Sequence, residues 1–431
     1  MKTNSKFLFL IIFLFPLFFS MSLRAEQLQF SKVVFFGDSL SDMANNQDGK
    51  NDQAPVTNKI KDGDSYRSGN TWVIPFVKNL KADGLLSPNS TVEVKPSIDY
   101  DKSIEISPWD SVDFAFSGDP SGGYPNMQGK HVIEYHDSPL EINQFCVINP
   151  TVPPGGENDL CGAQNRIRDC VANHTVDPDA LYVIWAGPND ILQNQDLSNR
   201  MLIDVETAIK TGIPISTNEA KFLANEGGKT IVSAVGNITY AIYSLKSKGA
   251  QHFLVINLPN LGYTPNGWGL NYLYAKQFPQ YRDLILNMYT NLTNGFNSFL
   301  KQSLDKVPGT YPVIQPDINQ MFTLAHEGKM AAFPLSSSQV NTNPVLQWFG
   351  TCCSSQEEGP NYDPTKCNND KQSPLCSGPL PTLPNNQGHY LFYNGIHPTT
   401  CAAKYIARFV ESYIPGGKPF DPNEQLCSED E

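Results

Sequence analysis

Positive charge is in short supply. The 431-residue chain carries 31 Lys and Arg against 43 Asp and Glu, a formal charge of −12 with a pI near 5.1. Binding to nucleic acid needs a basic face that displaces counterions, so this balance argues against nucleic acid as a partner. No polybasic cluster offers attachment to anionic lipid either. Zinc spacing is missing too: there is no Cys-x-x-Cys pair and no cysteine–histidine cluster, so no metal or cofactor is implied. His131 and His136 stand near Asp137, but no second cluster completes a metal site with them. His252, His326 and His389 read as structural or solvated. The sequence contains no internal repeat.

What is present starts with an export signal. Lys2 and Lys6 precede an uncharged run of Phe, Leu and Ile from Phe7 to Phe19, the pattern of a secretory signal peptide. The run is short of the roughly 20 apolar residues a membrane span needs. Only extension to Leu23 turns it into an uncleaved anchor. Export is the reading adopted, with cleavage after Ala25 or after Ser22, giving a secreted protein, extracellular or periplasmic. Residues 26–431 then form one domain with insertions. A content of 40% hydrophobic residues suffices for a large core.

The nine cysteines all follow the signal segment, and in an exported protein they read as disulfides. Their number is odd and their connectivity is not legible from sequence. Seven of them crowd into two stretches rich in Pro and Gly, near 119–179 and 332–388. Both read as disulfide-pinned insertions flanking a site, with plain surface decoration an equal reading for the first.

Between these stretches, short apolar runs alternate with helical patterns. "KVVFFGDSL" (Lys32–Leu40), "LYVIWAGPND" (Leu181–Asp190) and "HFLVINLPN" (His252–Asn260) read as buried strands closed by turn residues, and "YPVIQPDIN" (Tyr311–Asn319) as a fourth. Ile231 to Leu245, Tyr281 to Leu304 and Ala402 to Tyr413 carry apolar residues at helical spacing. Alternating strands and helices predict an α/β fold with a central parallel sheet, a three-layer α/β/α sandwich whose ligands gather at the carboxyl ends of the strands.

The chemistry-bearing residues stand at those ends. In "FFGDSLSD", Ser39 stands where a helix is expected to begin, in a field that favours developing negative charge. The same stretch reads equally well as an Asp38 or Ser39 helix cap. Ser41 occupies the place of the second glycine of a Gly-x-Ser-x-Gly elbow, so that motif is excluded. "FAFSGDPSGG" brings Gly118, whose backbone N–H suits an oxyanion, and "WAGPND" brings Asn189, an amide donor or a helix cap. "LFYNGIHPTT" places His397 before a final helix, with Asn394 three residues upstream.

Taken in order, the "GDSLSD", "SGD", "GPND" and "HPT" strings resemble the four blocks of the GDSL or SGNH serine hydrolase family, across most of the chain from Val33 to about Tyr413. Among bacterial branches the chain looks most like secreted phospholipases A, lysophospholipases and glycerophospholipid–cholesterol acyltransferases. The resemblance implies Ser39 as nucleophile and His397 as base and then acid. It implies an oxyanion hole of the Ser39 and Gly118 N–H groups with the Asn189 amide. The substrate class would be a phospholipid or lysophospholipid, with a sterol as a possible acyl acceptor.

One position departs from the family pattern: Asn394 stands where an Asp is expected. An Asp would accept the imidazole Nδ1–H bond and stabilise the imidazolium formed as serine loses its proton. Asn accepts through Oδ1 but brings no charge, and Asp190 or Asp119 are alternative carboxylates. Two further expectations remain. The Cys352–Gly388 loop reads as a lid opened by an activating protease. The rival functions are an impaired lipid- or surface-binding protein and a carbohydrate O-acetyl esterase.

Overall fold

The computed structural model describes residues 28–43, 71–96, 107–115, 120–122, 167, 175–333, 391–392 and 396–427. The expected signal peptide, Gly118, Asn394, seven of the nine cysteines and nearly all of both expected insertions lie outside these residues, as do His131, His136 and His389.

In chain order the main elements are β1 (Val33–Gly37), α1 (Val73–Ala82), β2 (Val94–Pro96), β3 (Ser111–Asp113), β4 (Leu181–Trp185), α2 (Pro188–Leu192), α3 (Arg200–Thr211), α4 (Thr217–Ser247), β5 (His252–Val255), α5 (Pro265–Gln277), α6 (Leu284–Leu304), α7 (Ile318–His326) and α8 (Thr400–Glu411). The strands form one sheet in the order β2-β3-β1-β4-β5, and every pairing is parallel. The protein is therefore an α/β fold.

Successive strand residues point to opposite faces, and the packing follows that alternation. Val34, Phe36, Tyr182, Ile184, Phe253 and Val255 join α4 and α6 in one hydrophobic cluster. Val33, Phe35, Leu181, Val183 and Leu254 join α1, α7 and α8 in another. Burial on both faces is why these strands read as continuous apolar runs rather than alternating ones.

Two elements differ from the sequence expectation. Tyr311–Asn319 is no full strand. Ile314 alone bridges Leu254, exchanging backbone bonds with Val255 and Phe253 at 2.9 Å each. Pro312 and Pro316 on either side remove the N–H groups that would extend the ladder. Conversely, α4 begins at Thr217, well before the periodic stretch at Ile231. Ser216 caps it by accepting from Glu219 N at 3.1 Å, the serine half of a capping box. Gly227 and Gly228 look like a break, but a Cβ on Gly227 would fall 2.2 Å from a Leu292 methyl. The glycine lets α6 approach α4.

The disulfide Cys401–Cys427 ties α8 to the C-terminal tail. No helix among the described residues is long and apolar enough to cross a membrane.

Where α8 meets the end of α1, Glu411 is fully buried and accepts from Arg408 at 2.6 Å, with Arg408 also 3.3 Å from Asp83. Burial and the hydrogen bond with Asp83 raise the Glu411 carboxyl to about 8. The same hydrogen bond is the main reason that Asp83 is lowered. Glu411 Oε2 takes the Arg408 bond, while its other oxygen, Oε1, is buried without a hydrogen-bond partner among the described residues. A carboxyl whose pKa rises on folding contributes stability at low pH and loses it as pH climbs from the unfolded value of 4.5 towards 8. Glu411→Gln keeps the shape and a polar end without the titration. Thermal melts are expected to show wild-type Tm falling relative to this variant between about pH 5 and pH 8, by ~2 °C or more. Parallel curves for the two proteins would refute the assignment.

Candidate active site

Chain order creates the crevice. From β1 the chain moves to β2 and back to β3 on one side, then crosses to β4 on the other, so the sheet reverses direction beside β1. At such a switch point the connections leave the strand ends in opposite directions and open a cleft. The loops after β1 and β4 face each other across it, and they carry Ser39 and Asn189.

Over the described residues Asp38–Met43 the chain after β1 forms a turn and not the expected helix start. Ser41 N and Asp42 N both bond to Asp38 O at 3.0 Å, and Leu40 N donates to Asp38 Oδ1 at 2.9 Å. Two outside contacts then hold the turn. Met43 N donates to Asp113 Oδ2 at 2.8 Å, and Trp72 Nε1 donates to Ser41 Oγ at 3.1 Å. Side chains that satisfy backbone groups locally compete with helix formation, and here they win. Asp38 is the residue that organises the turn, leaving Ser39 half-buried at the apex.

His397 is held from the opposite end of the chain. Phe392 bridges Pro398, and Thr399 N donates to Leu391 O at 3.0 Å, so the turn is pinned on both sides of the histidine. Thr399 then caps α8, accepting from Ala402 N at 3.1 Å. The result is a buried imidazole, 3% exposed, whose Nε2 lies 2.7 Å from Ser39 Oγ. That distance is a short hydrogen bond between residues 358 positions apart. It is the geometry a base needs to take the serine proton.

Asn189 is the second residue of α2, so the sequence alternative that made it a cap is corrected: the cap is Gly187. Gly187 has φ +126°, and a Cβ there would meet the Phe296 ring at 2.6 Å. Only glycine turns the chain this sharply against α6. Asn189 is buried, and its Oδ1 accepts from Gln193 Nε2 at 3.0 Å. The following residue, Asp190, accepts from Ser121 N at 2.7 Å and Ser121 Oγ at 2.6 Å. Its two carboxylate oxygens are thus engaged at Ser121, which bears on its suggested use as a substitute orienter of His397.

Ser39, Asn189 and His397 line one pocket, whose roughly 460 Å³ of empty space includes open solvent. The remaining walls are largely apolar, among them Trp185, Leu192, Leu261, Phe322, Phe392 and Ile396. Of the five residues expected at the site, three come together here; Gly118 and Asn394 lie outside the described residues.

The bland readings of two histidines hold. Burial lowers the pKa of His252, whose ring sits 4.3 Å from Tyr311 and 5.4 Å from Phe30. His326 stacks 3.6 Å above Tyr263, and burial lowers it to about 4. Among the described residues no cluster of three His, Cys, Asp or Glu side chains forms a metal site.

Sequence reasoning missed Asp113, Ser121, Gln193 and Asn237. Asp113 is fully buried and bonds Met43 N and Ala115 N, tying the loop after β1 to the end of β3. The signal for it was a charge at the end of an apolar stretch, "SVDFAF". Searched against known families and curated proteins, the chain matches no family model and no curated protein.

Proposed function

We propose that the protein is an exported serine esterase of the GDSL or SGNH type, with a three-layer α/β/α architecture, acting on the acyl esters of phospholipids or lysophospholipids. The observation that carries the reading is the 2.7 Å contact of His397 Nε2 with Ser39 Oγ inside an apolar pocket. In the proposed reaction Ser39 Oγ attacks the ester carbonyl while His397 Nε2 takes its proton. The tetrahedral oxyanion is stabilised by the Asn189 amide and the expected backbone donors, Ser39 and Gly118. Collapse expels the alcohol, which takes the proton from His397 and leaves acyl-Ser39. Water, or a sterol hydroxyl, then attacks the acyl group with His397 as base again. The hydrocarbon walls favour an alkyl chain over a sugar, which is why a fatty acyl ester is preferred to a carbohydrate O-acetyl ester.

Fatty acid release from lysophosphatidylcholine by the purified full chain, compared with release of acetate from an acetylated sugar, tests the reading. Preference for the long chain is expected. Acetate release alone would replace the substrate class, and no release from either would favour a binding protein. Asn189→Ala is expected to lower kcat by about 10²–10³ with little change in KM, since the amide acts on charge that develops only in the transition state. Steady-state kinetics check it, and an unchanged kcat would remove Asn189 from the oxyanion hole. The role of a protease at the Cys352–Gly388 loop remains part of the proposal, tested by activity before and after limited proteolysis.

A further inference from the structure

Asp190 has no role in the reaction just described, yet it is fully buried one residue after Asn189. A carboxylate withdrawn from water is costly unless strong hydrogen bonds compensate it. Here both oxygens take bonds from a single residue, Ser121, whose N–H lies 2.7 Å away and whose hydroxyl lies 2.6 Å away. Ser121 is itself 1% exposed. Its hydroxyl oxygen also accepts from Asn237 Nδ2 at 3.2 Å, midway along α4. Three segments remote in sequence therefore meet at one hydroxyl: the glycine-rich turn after β3, the helix after β4 and the long α4.

The helix that carries Asn189 needs this support. α2 has five residues, no side-chain cap and a strained glycine entry. A helix that short has no stability of its own. Along it, Asn189 lines the pocket while Asp190 takes its bonds from Ser121, and Gln193 Nε2 fixes the Asn189 amide from one turn on. We infer that Asp190, Ser121 and Asn237 form a positioning unit that fixes the Asn189 amide where the oxyanion develops. The inference rests on the acyl-transfer reading of Ser39. An amide displaced by about 1 Å costs on the order of 100-fold in rate, so the unit acts on kcat and not on substrate binding.

The test uses Ser121→Ala, which removes only the hydroxyl and keeps the N–H bond to Asp190, with Ser121→Thr as the conservative control. Rates of lysophosphatidylcholine hydrolysis are expressed per Ser39 labelled at completion by a fluorophosphonate, so unfolded protein does not count. Expected is a loss of roughly 10–100-fold in kcat for Ser121→Ala, with KM within about twofold and recovery of most of the rate in Ser121→Thr. In an Asn189→Ala background the same substitution is expected to cost less than about threefold, because its target is gone. Losses that multiply in the double variant, or an unchanged kcat in Ser121→Ala, would overturn the positioning role. A wild-type protein that takes no label on Ser39 would instead overturn the acyl-transfer reading beneath it.

Discussion

Ser39→Ala is expected to reduce fatty acid release to background and to abolish fluorophosphonate labelling, while leaving the fold intact. The expected loss is large because nucleophile and base act as a unit: removing either member of a complete triad costs about 10⁶ in kcat, and with Asn394 in the orienter's place at least about 10² of that is expected here. His397 Nε2 and Ser39 Oγ are 2.7 Å apart, within hydrogen-bond reach for the proposed proton transfer. Without the hydroxyl, the buried imidazole has no nucleophile to activate. The fold should tolerate the change, since Asp38 and not Ser39 organises the turn through Leu40, Ser41 and Asp42. Release persisting at more than about 1% of wild type would mean that another group carries the chemistry, and the proposal would fall with it.

The apolar runs made most of this architecture legible in advance. Val33–Gly37, Leu181–Trp185 and His252–Val255 are strands buried on both faces, and such strands announce themselves by composition. The short ones do not. β2 and β3 span three residues each, and "VKP" and "SVD" carry no periodicity to detect. Ladder bonds to a neighbour define them, and those depend on the rest of the sheet. The same contrast divides the site. Ser39, Asn189 and His397 were legible because each stands in a short string next to a strand or helix boundary. Asp113, and the bonding of Asp190 to Ser121, were not, because no single string shows that an aspartate closing a strand or opening a short helix is buried. Their roles appear only when Ser121 and Met43 arrive from elsewhere in the chain. Ser39 itself was assigned to a helix start on local grounds, but Asp113 and Trp72, 70 and 31 positions from the atoms they hold, set the turn instead.

Asn394→Asp is expected to raise kcat, by between about 10-fold and the 10⁴-fold that separates Asp from Asn in a serine-protease triad. Because Nε2 of His397 faces Ser39, Nδ1 is the nitrogen left to an orienting group. In the resting site an amide oxygen serves that nitrogen nearly as well as a carboxylate. The difference arises when the serine proton moves to His397, because an imidazolium then forms inside a pocket with largely apolar walls. The family resemblance implies that residue 394 faces Nδ1; a negative charge there would stabilise the transition state and do nothing for bound substrate, so KM should stay within about twofold. The gain must also vanish when Ser39→Ala is added, which separates restored catalysis from improved folding. A kcat unchanged by Asn394→Asp would mean that the imidazolium is already stabilised by another carboxylate. Asp190 is poorly suited to that role, since both its oxygens serve Ser121, and a search by substitution would start with Asp119. A large gain would mean that this chain keeps a nearly complete hydrolase site whose turnover is limited by one missing charge.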